Sequence, residues 1–593
     1  MSKSTSPTPL TAGPLSVVLE NDRLRSLRFG SVEILHSIYF AVRDANWGTV
    51  PSTIEAIDVR QDQNTFGIDL EVGCRAAGID FRWTGRIRAE RIAAGRRSAR
   101  THKLTFEAHG KAHSDFLRNR ISFCVLHPLS CQGREVVITH PDKSASTLRF
   151  PHYISPHQPF KNIQAMRWSP ENLTASLRFT GEIFETEDQR NWSDASYKTY
   201  GTPLNLPFPV AIHPGDEVRQ RVELEVVSSA ALAPVVTQEQ YVLRLTNNTV
   251  PLPPLGLEAN EEPLSEASIT ELRKLNLSHL RVEARTHESH WWDRFRQRLQ
   301  QAQQLNLPIE LVIFLRSEDT EIIQHIREVL GLSNISRILV IDPVAPSTLA
   351  PFLGTVLPVL RQAFPNVAIG GGTDYYFTQL NRFRPPTDPL DFVSFSTNPQ
   401  VHAFDDRSLL ENNQTLPHIL ETARHLAGEL PVYVSPITLK PRANPDATEA
   451  VSPEQQRRAR QDHRQTTTFG AQWTLTCIKQ LTQSGAARLT LYQTIGDEGV
   501  LRIHSDGAPI ELFPVFALLE TLGKHRSGRI RRTTSSHPLI FDGLILESAE
   551  ATSSVSLIAN FSTKEIKVHI KESIYLIKPK EISLVLFQVE KRR

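Results

Sequence analysis

The chain has 593 residues, 40% hydrophobic and 22% charged, with 66 Lys and Arg against 64 Asp and Glu for a net charge of +2. That length exceeds what one core can organise and implies about two to four domains. The charge balance gives no global case for nucleic acid or an anionic membrane as partner. No apolar run approaches the ~20 residues that span a bilayer.

Residues 1–14 are Ser-, Thr- and Pro-rich without an apolar segment, and read as a disordered tail rather than a signal peptide. The cysteines Cys74, Cys124, Cys131 and Cys477 are scattered and lack metal-ligand spacing, which fits a reduced, cytoplasmic compartment. From 15 to 237 short apolar stretches recur, at 15–20, 27–29, 68–72, 79–83, 104–108, 121–126, 175–179 and 218–226, several of them alternating with period two. Antiparallel strands with one wet face give that pattern, and so many of them without helices predict a β-sandwich.

Within this domain, residues 184–200 stand apart: four carboxylates, two amides, two cations, Trp192, Tyr197 and Tyr200 fall in seventeen residues. Neither strand alternation nor a helical stripe is visible, so the run reads as an irregular loop. A solvated acidic loop is one interpretation. The wall of an active site is the other, since solvated loops seldom carry Trp and Tyr among their charges.

From 238 to 525 strand patterns alternate with helical ones. Strands are predicted at 255–258, 279–285, 308–315, 338–341, 367–370, 392–395, 432–435 and 488–492, with helices at 269–275, 294–304, 320–330, 346–364 and 510–522. Eight βα units predict a (β/α)8 TIM barrel, with a doubly wound sheet as the alternative. No G-x-G-x-x-G or P-loop pattern implies a nucleotide, and Gly370-Gly-Gly is a weak phosphate-loop signal. Residues 526–593 return to short strands and predict a small C-terminal β-sandwich. The fold class is thus multidomain: β-sandwich, TIM barrel, β-sandwich.

Catalysis in such a barrel belongs at the C-terminal strand ends. There the chain carries Glu258 and Asn260, then Arg281, Glu283 and Arg285 at alternate positions of one strand face, then Asp374 and Tyr376, then Asn398, Gln400, His402 and Asp405, then Lys440 and Arg442, and last Tyr492 and Gln493. The charges of the second strand point either into the barrel or out at its helices as ion pairs. No H-x-H or H-E-x-x-H spacing suggests a metal and no G-x-S-x-G a serine nucleophile, so neither metal nor other cofactor is expected.

Three motifs carry a resemblance: residues 185–200 (Glu-Thr-Glu-Asp-Gln-Arg-Asn-Trp-Ser-Asp-Ala-Ser-Tyr-Lys-Thr-Tyr), 398–405 (Asn-Pro-Gln-Val-His-Ala-Phe-Asp) and 435–442 (Ser-Pro-Ile-Thr-Leu-Lys-Pro-Arg). With the three-part layout they resemble the D-apionate lactonase family of bacterial sugar catabolism. The resemblance implies hydrolysis of D-apionolactone to D-apionate, a small carbohydrate substrate and a TIM barrel between β domains. The eighth strand departs from it, reading Tyr492-Gln-Thr-Ile-Gly-Asp-Glu-Gly where Tyr-Glu-Thr-Thr-Gly-Trp-Arg-Gly is the expected pattern.

Opening a lactone needs a base for water, a donor or cation for the oxyanion and an acid for the leaving alkoxide. Glu187 is the expected base, with Glu185 and Glu283 as competitors; Lys198 and His402 are candidates for oxyanion or alkoxide. Asn191, Asp194, Asn398, Gln400 and Asp405 suit substrate hydroxyls, and Trp192, Tyr376 and Tyr492 suit the sugar's faces. A glycoside hydrolase using paired carboxylates and a non-catalytic carbohydrate-binding protein are the alternative functions. The run at 185–200 is expected to lie near Asn398 and His402.

Overall fold

Alternating burial along the early strands shows how the first part of the chain folds. The computed structural model describes residues 7–92, 100–228, 240–331, 334–445, 452–504, 508–548 and 554–587. The chain forms two compact units, one of residues 1–189 and 195–237, the other of residues 190–194 and 238–593.

The first unit contains two nine-stranded sheets among its described residues. One runs in the order Thr8–Ala12, Leu15–Glu20, Arg23–Phe29, Val32–Asp44, Phe116–Pro128, Ser196–Tyr200, Phe184–Asp188, Phe160–Ile163, with Val210–Ile212 added at Phe116–Pro128. The other is built around Leu173–Thr180, Glu217–Ser228, Arg100–Ala112 and Ile79–Ile92. Leu15–Glu20 and Glu217–Ser228 bury every second residue, and the buried sets meet in one core with Phe29, Phe81, Phe106, Phe123 and Trp168. This is the expected sandwich arrangement of inward and outward faces.

Two expectations change. Thr8–Ala12 is not tail: it pairs with Leu15–Glu20 and buries Leu10 and Ala12, the period-two pattern of an edge strand. Residues 1–6 lie outside the described residues. The run at 184–200 is not an irregular loop either. Phe184–Asp188 and Ser196–Tyr200 are paired strands joined through the short 3-10 helix Gln189–Trp192. Both strands are buried at every position, so neither shows the alternation of a half-exposed strand.

In the second unit, Leu255–Glu258, His279–Arg285, Ile309–Phe314, Ile335–Ile341, Ala368–Tyr376, Phe392–Thr397, Val432–Ile437 and Arg488–Gln493 form a closed parallel barrel, the last pairing with the first. Each strand follows a predicted one, and helices such as Glu266–Lys274, Trp291–Leu305 and Ala350–Ala363 lie between them. The glycine triplet belongs to the fifth strand. At Gly372, with φ +140°, a Cβ would stand 1.9 Å from Ser394 O, so the two strands approach as only glycine allows.

A further sheet has seven strands, Ser573–Ile577, Ile566–Ile570, Tyr241–Pro251, Arg529–Ser535, Phe541–Glu547, Ser554–Asn560 and Ile582–Phe587. Tyr241–Pro251 precedes the barrel, so this sheet draws on the chain at both ends of the barrel. Leu243, Phe541, Ile558 and Val568 form its core. Helix Thr468–Gln483 packs on it: Gln472 Nε2 donates to Asn560 O at 2.9 Å, and Lys479 pairs with Asp542. No described helix is long and apolar enough to cross a membrane.

Lys479 and Asp542 are 3% and 1% exposed. Removing one partner strands a buried charge, which typically costs about 3–5 kcal/mol, whereas apolar residues in both places are often neutral. Asp542→Ala should therefore lower the urea midpoint strongly, and Lys479→Met with Asp542→Leu should recover most of the loss. Equal loss in single and double variants would contradict this.

Candidate active site

Period-two geometry puts Arg281, Glu283 and Arg285 on one face of the second barrel strand, and that face points into the barrel mouth. Arg281 is fully buried; its Nη2 donates to Glu283 Oε1 and to Asp374 Oδ1, each at 2.7 Å, and its Nη1 to Ser435 O at 3.1 Å. Arg285 donates to Glu283 Oε2 at 2.7 Å and to Asp374 Oδ2 at 3.0 Å. Arg442, beyond the seventh strand, reaches Glu283 at 2.6 Å, Asp374 at 3.3 Å and also Glu258. Glu258, Glu283 and Asp374 thus balance three guanidinium groups, and the outward ion-pair alternative does not hold for these side chains.

Burial alone would raise the Glu283 carboxyl, but Arg285, Arg442 and Arg281 hold it well below the usual carboxylate range. The same logic, reversed, applies to Arg442: burial opposes its charge, yet Asp374, Glu258 and Glu283 keep it protonated. Beside this network a cavity of about 470 Å³ opens, lined by Glu258, Glu283, Arg285 and Arg442 and by Asn260, Gln493 and Glu498. Asn260 Nδ2 donates to Gln493 Oε1 at 2.7 Å.

A second cluster forms where Arg190–Asp194, which belongs to the barrel's compact unit, meets the loops after the fifth and sixth strands. Asp194 Oδ2 lies 2.6 Å from His402 Nδ1. The edge of Trp192 faces the His402 ring at 5.5 Å, and Arg382 sits 4.9 Å over the Trp192 ring. Asn191 accepts at its backbone oxygen from Thr378 Oγ1 at 2.7 Å and at Oδ1 from Asn381 Nδ2 at 2.9 Å. Ser193, at φ +71°, closes the turn that aims Asp194. An ionised carboxylate only accepts, so in the neutral imidazole Nδ1 carries the proton toward Asp194 and Nε2 is the acceptor. His402 is 24% exposed, enough for a small molecule to reach its ring.

The other predicted residues have varied settings. In the first unit Glu187 and Lys198 face each other across paired strands at 2.5 Å. Burial disfavours the Lys198 ammonium, but Glu187 holds its pKa above the ordinary 10.5. Glu185 accepts from Tyr200 Oη at 2.6 Å and from Leu204 N at 2.7 Å. In the second unit, Gln400 is held by Leu439 O, Asp462 and Arg464, and Asn398 accepts from Gln400 N at 3.0 Å in a turn. Asp405 caps helix Asp406–Asn412 by accepting from Ser408 N at 3.0 Å. Tyr376 is buried at the start of helix Phe377–Arg382, and Tyr492 shares a 2.7 Å hydrogen bond with Thr474. Gln400, Asp405 and Tyr492 are thus engaged in holding the fold, a use the sequence did not reveal. Arg460, on the cavity wall, was not singled out, and Glu498 beside it was marked only as part of the eighth-strand departure.

A depressed carboxylate contributes stability in full above its unfolded value, here about 4.5, and loses it as pH falls through the folded value. Glu283→Gln leaves the arginines under-compensated and should cost about 3–5 kcal/mol at pH 7. The gap to wild type should narrow as pH drops below the ordinary Glu range, because the unfolded parent takes up a proton there that the folded carboxylate does not. Urea unfolding across pH 3–7 checks it, and a pH-independent gap would contradict the assignment.

Residues 1–229 match the family model for the D-apionate lactonase N-terminal domain, and residues 254–527 that for the D-apionate lactonase TIM barrel domain. A D-apionate lactonase of Brucella anthropi is 31% identical over 540 residues, 87% of either chain. Among solved structures, an α-L-arabinofuranosidase of Thermotoga maritima is 10% identical with a TM-score of 0.39, over 59% of this chain and 95% of its own. One from Thermotoga petrophila gives 10% and 0.41, over 59% and 96%. The family's two domain patterns follow one another along this chain, and the Brucella relative extends across most of it. The protein therefore belongs to the D-apionate lactonase family.

Proposed function

We propose that the protein opens a sugar lactone with water, converting D-apionolactone to D-apionate in apiose breakdown, at the C-terminal end of its barrel. Asp194 and His402 serve as the proton-transfer pair. The observation that carries this is the 2.6 Å contact between Asp194 and Nδ1 of a partly exposed histidine at a barrel strand end. Membership of a lactonase family supports the reaction class.

The chemistry follows from the tautomer. Nε2 takes a proton from water as the oxygen attacks the lactone carbonyl carbon, and Asp194 stabilises the imidazolium that forms. The tetrahedral intermediate then collapses: the ring C–O bond breaks and Nε2 returns the proton to the departing alkoxide. The product is an open-chain hydroxy acid, which ionises and releases one proton. Trp192, packed against the histidine, limits water on that side. Glu187, tied to Lys198, is less suited as a base than the notional free carboxylate of the same position. A glycosidase needs one protonated acid of its pair, and Glu283, held ionised by three guanidinium groups, does not supply it.

His402→Gln should lower kcat by ~10²–10⁴-fold with little change in KM, the usual range for a lost general base. Asp194→Asn, which disturbs the tautomer, should also act on kcat. Turnover within a few-fold of wild type in His402→Gln would move the base to Glu187, to be checked by Glu187→Gln. Binding without turnover of any lactone in the parent would favour a carbohydrate-binding protein.

A further inference from the structure

The cavity at the ends of the first, second and eighth barrel strands has no part in the proton transfer just described. At about 470 Å³ it is large enough for the ring of a five-carbon sugar. Six arginines and six carboxylates line it, so its charge is balanced. Arg285, Arg298, Arg442 and Arg502 are each already paired with a carboxylate. A carboxylate ligand would meet Glu258, Glu283 and Glu498 with four of the six guanidinium groups already engaged.

The groups left for a ligand have another character. Asn260 Nδ2 is engaged by Gln493 Oε1, which fixes the Gln493 amide and leaves its Nε2 with no hydrogen bond among the described residues. Arg460 Nε stands 3.4 Å from Glu498 Oε2, an ion pair without an aligned hydrogen bond, and the two side chains are 32% and 17% exposed. Burial, with the charge of Glu258 adding to it, raises the Glu498 carboxyl against the pull of Arg460 and Arg442, which makes it a stronger acceptor. An amide donor, a guanidinium and a carboxylate acceptor side by side suit hydroxyl groups, which accept from the first two and donate to the third.

We propose that this cavity binds a neutral polyhydroxylated ring, with Gln493, Arg460 and Glu498 as its recognition groups. Resting on the lactone-hydrolase reading above, it is the subsite that takes the hydroxyls of the intact lactone and disfavours the open-chain carboxylate product. The test uses the full-length protein and calorimetric titration with a 1,4-anhydropentitol, a ring that cannot be hydrolysed, and with a linear pentonate. Wild type should bind the ring more tightly than the pentonate. Gln493→Leu and Glu498→Ala should each weaken ring binding about tenfold, the effect of losing a hydrogen bond to a charged or fixed partner. In turnover they should raise KM more than they lower kcat. Thermal unfolding close to wild type identifies variants that remain folded, and Gln493→Leu, which removes no charge, serves where Glu498→Ala does not fold. No ring binding by wild type, tighter binding of the pentonate, or unchanged ring affinity in both folded variants would overturn the proposal. Ring binding lost in the variants, in a parent that turns over no lactone, would uphold the subsite and reject the hydrolase reading.

Discussion

Three carboxylates and three guanidinium groups locked together in the barrel mouth set the terms for everything around them. Barrel interiors are ordinarily filled by branched apolar side chains. Here Arg281, with no exposure, is buried at a cost that only its partners offset. Because the partners come from the first, second and fifth strands and from the segment after the seventh, the network fixes those strand ends relative to one another. Below it the polar filling continues: Ser435 Oγ donates to Glu310 at 2.7 Å, and His279 shares a bond with Thr490 at 2.9 Å. Such a mouth holds its dipoles in place before a substrate arrives, the condition under which electrostatic stabilisation is largest.

The network also separates two roles that sequence alone had merged. Glu283 looked like a possible base, but a carboxylate held far down by three cations is a poor proton acceptor at neutral pH. Its place is in the scaffold. In the proposed function proton transfer is assigned instead to a histidine held at Nδ1 by a single carboxylate. In the proposed subsite, substrate hydroxyls are taken by the balanced cavity beside the network.

Much of this was legible in the residues. All eight barrel strands are buried along most of their length and recur at βα spacing, and that signal survives without any knowledge of tertiary contacts. The N-terminal strands announced themselves by alternation. Phe184–Asp188 and Ser196–Tyr200 did not, because strands covered on both faces need no polar side, and charges paired across them, as in Glu187 and Lys198, imitate a loop. Tyr241–Pro251 joins a sheet whose other strands lie some three hundred residues later, with Tyr241 beside Val568, and no local pattern encodes such a partner. For the site, the chemistry of His402 and Asp194 was visible but their pairing was not. Asp405 gave the same local signal as a binding acid, and only the bond to Ser408 reveals it as a helix cap. Arg460 lay in a stretch with no motif and Glu498 in the eighth-strand departure, and their meeting is a product of the fold.

In the proposed reaction water, activated at the barrel mouth, adds to a lactone carbonyl. Hydrolysis of D-apionolactone by the purified protein in ¹⁸O-labelled water tests it most directly. One labelled oxygen in the carboxylate of each D-apionate formed, with one proton released per turnover, is the expected result. No turnover of this or any other aldonolactone, together with release of sugar from an aryl glycoside, would contradict it.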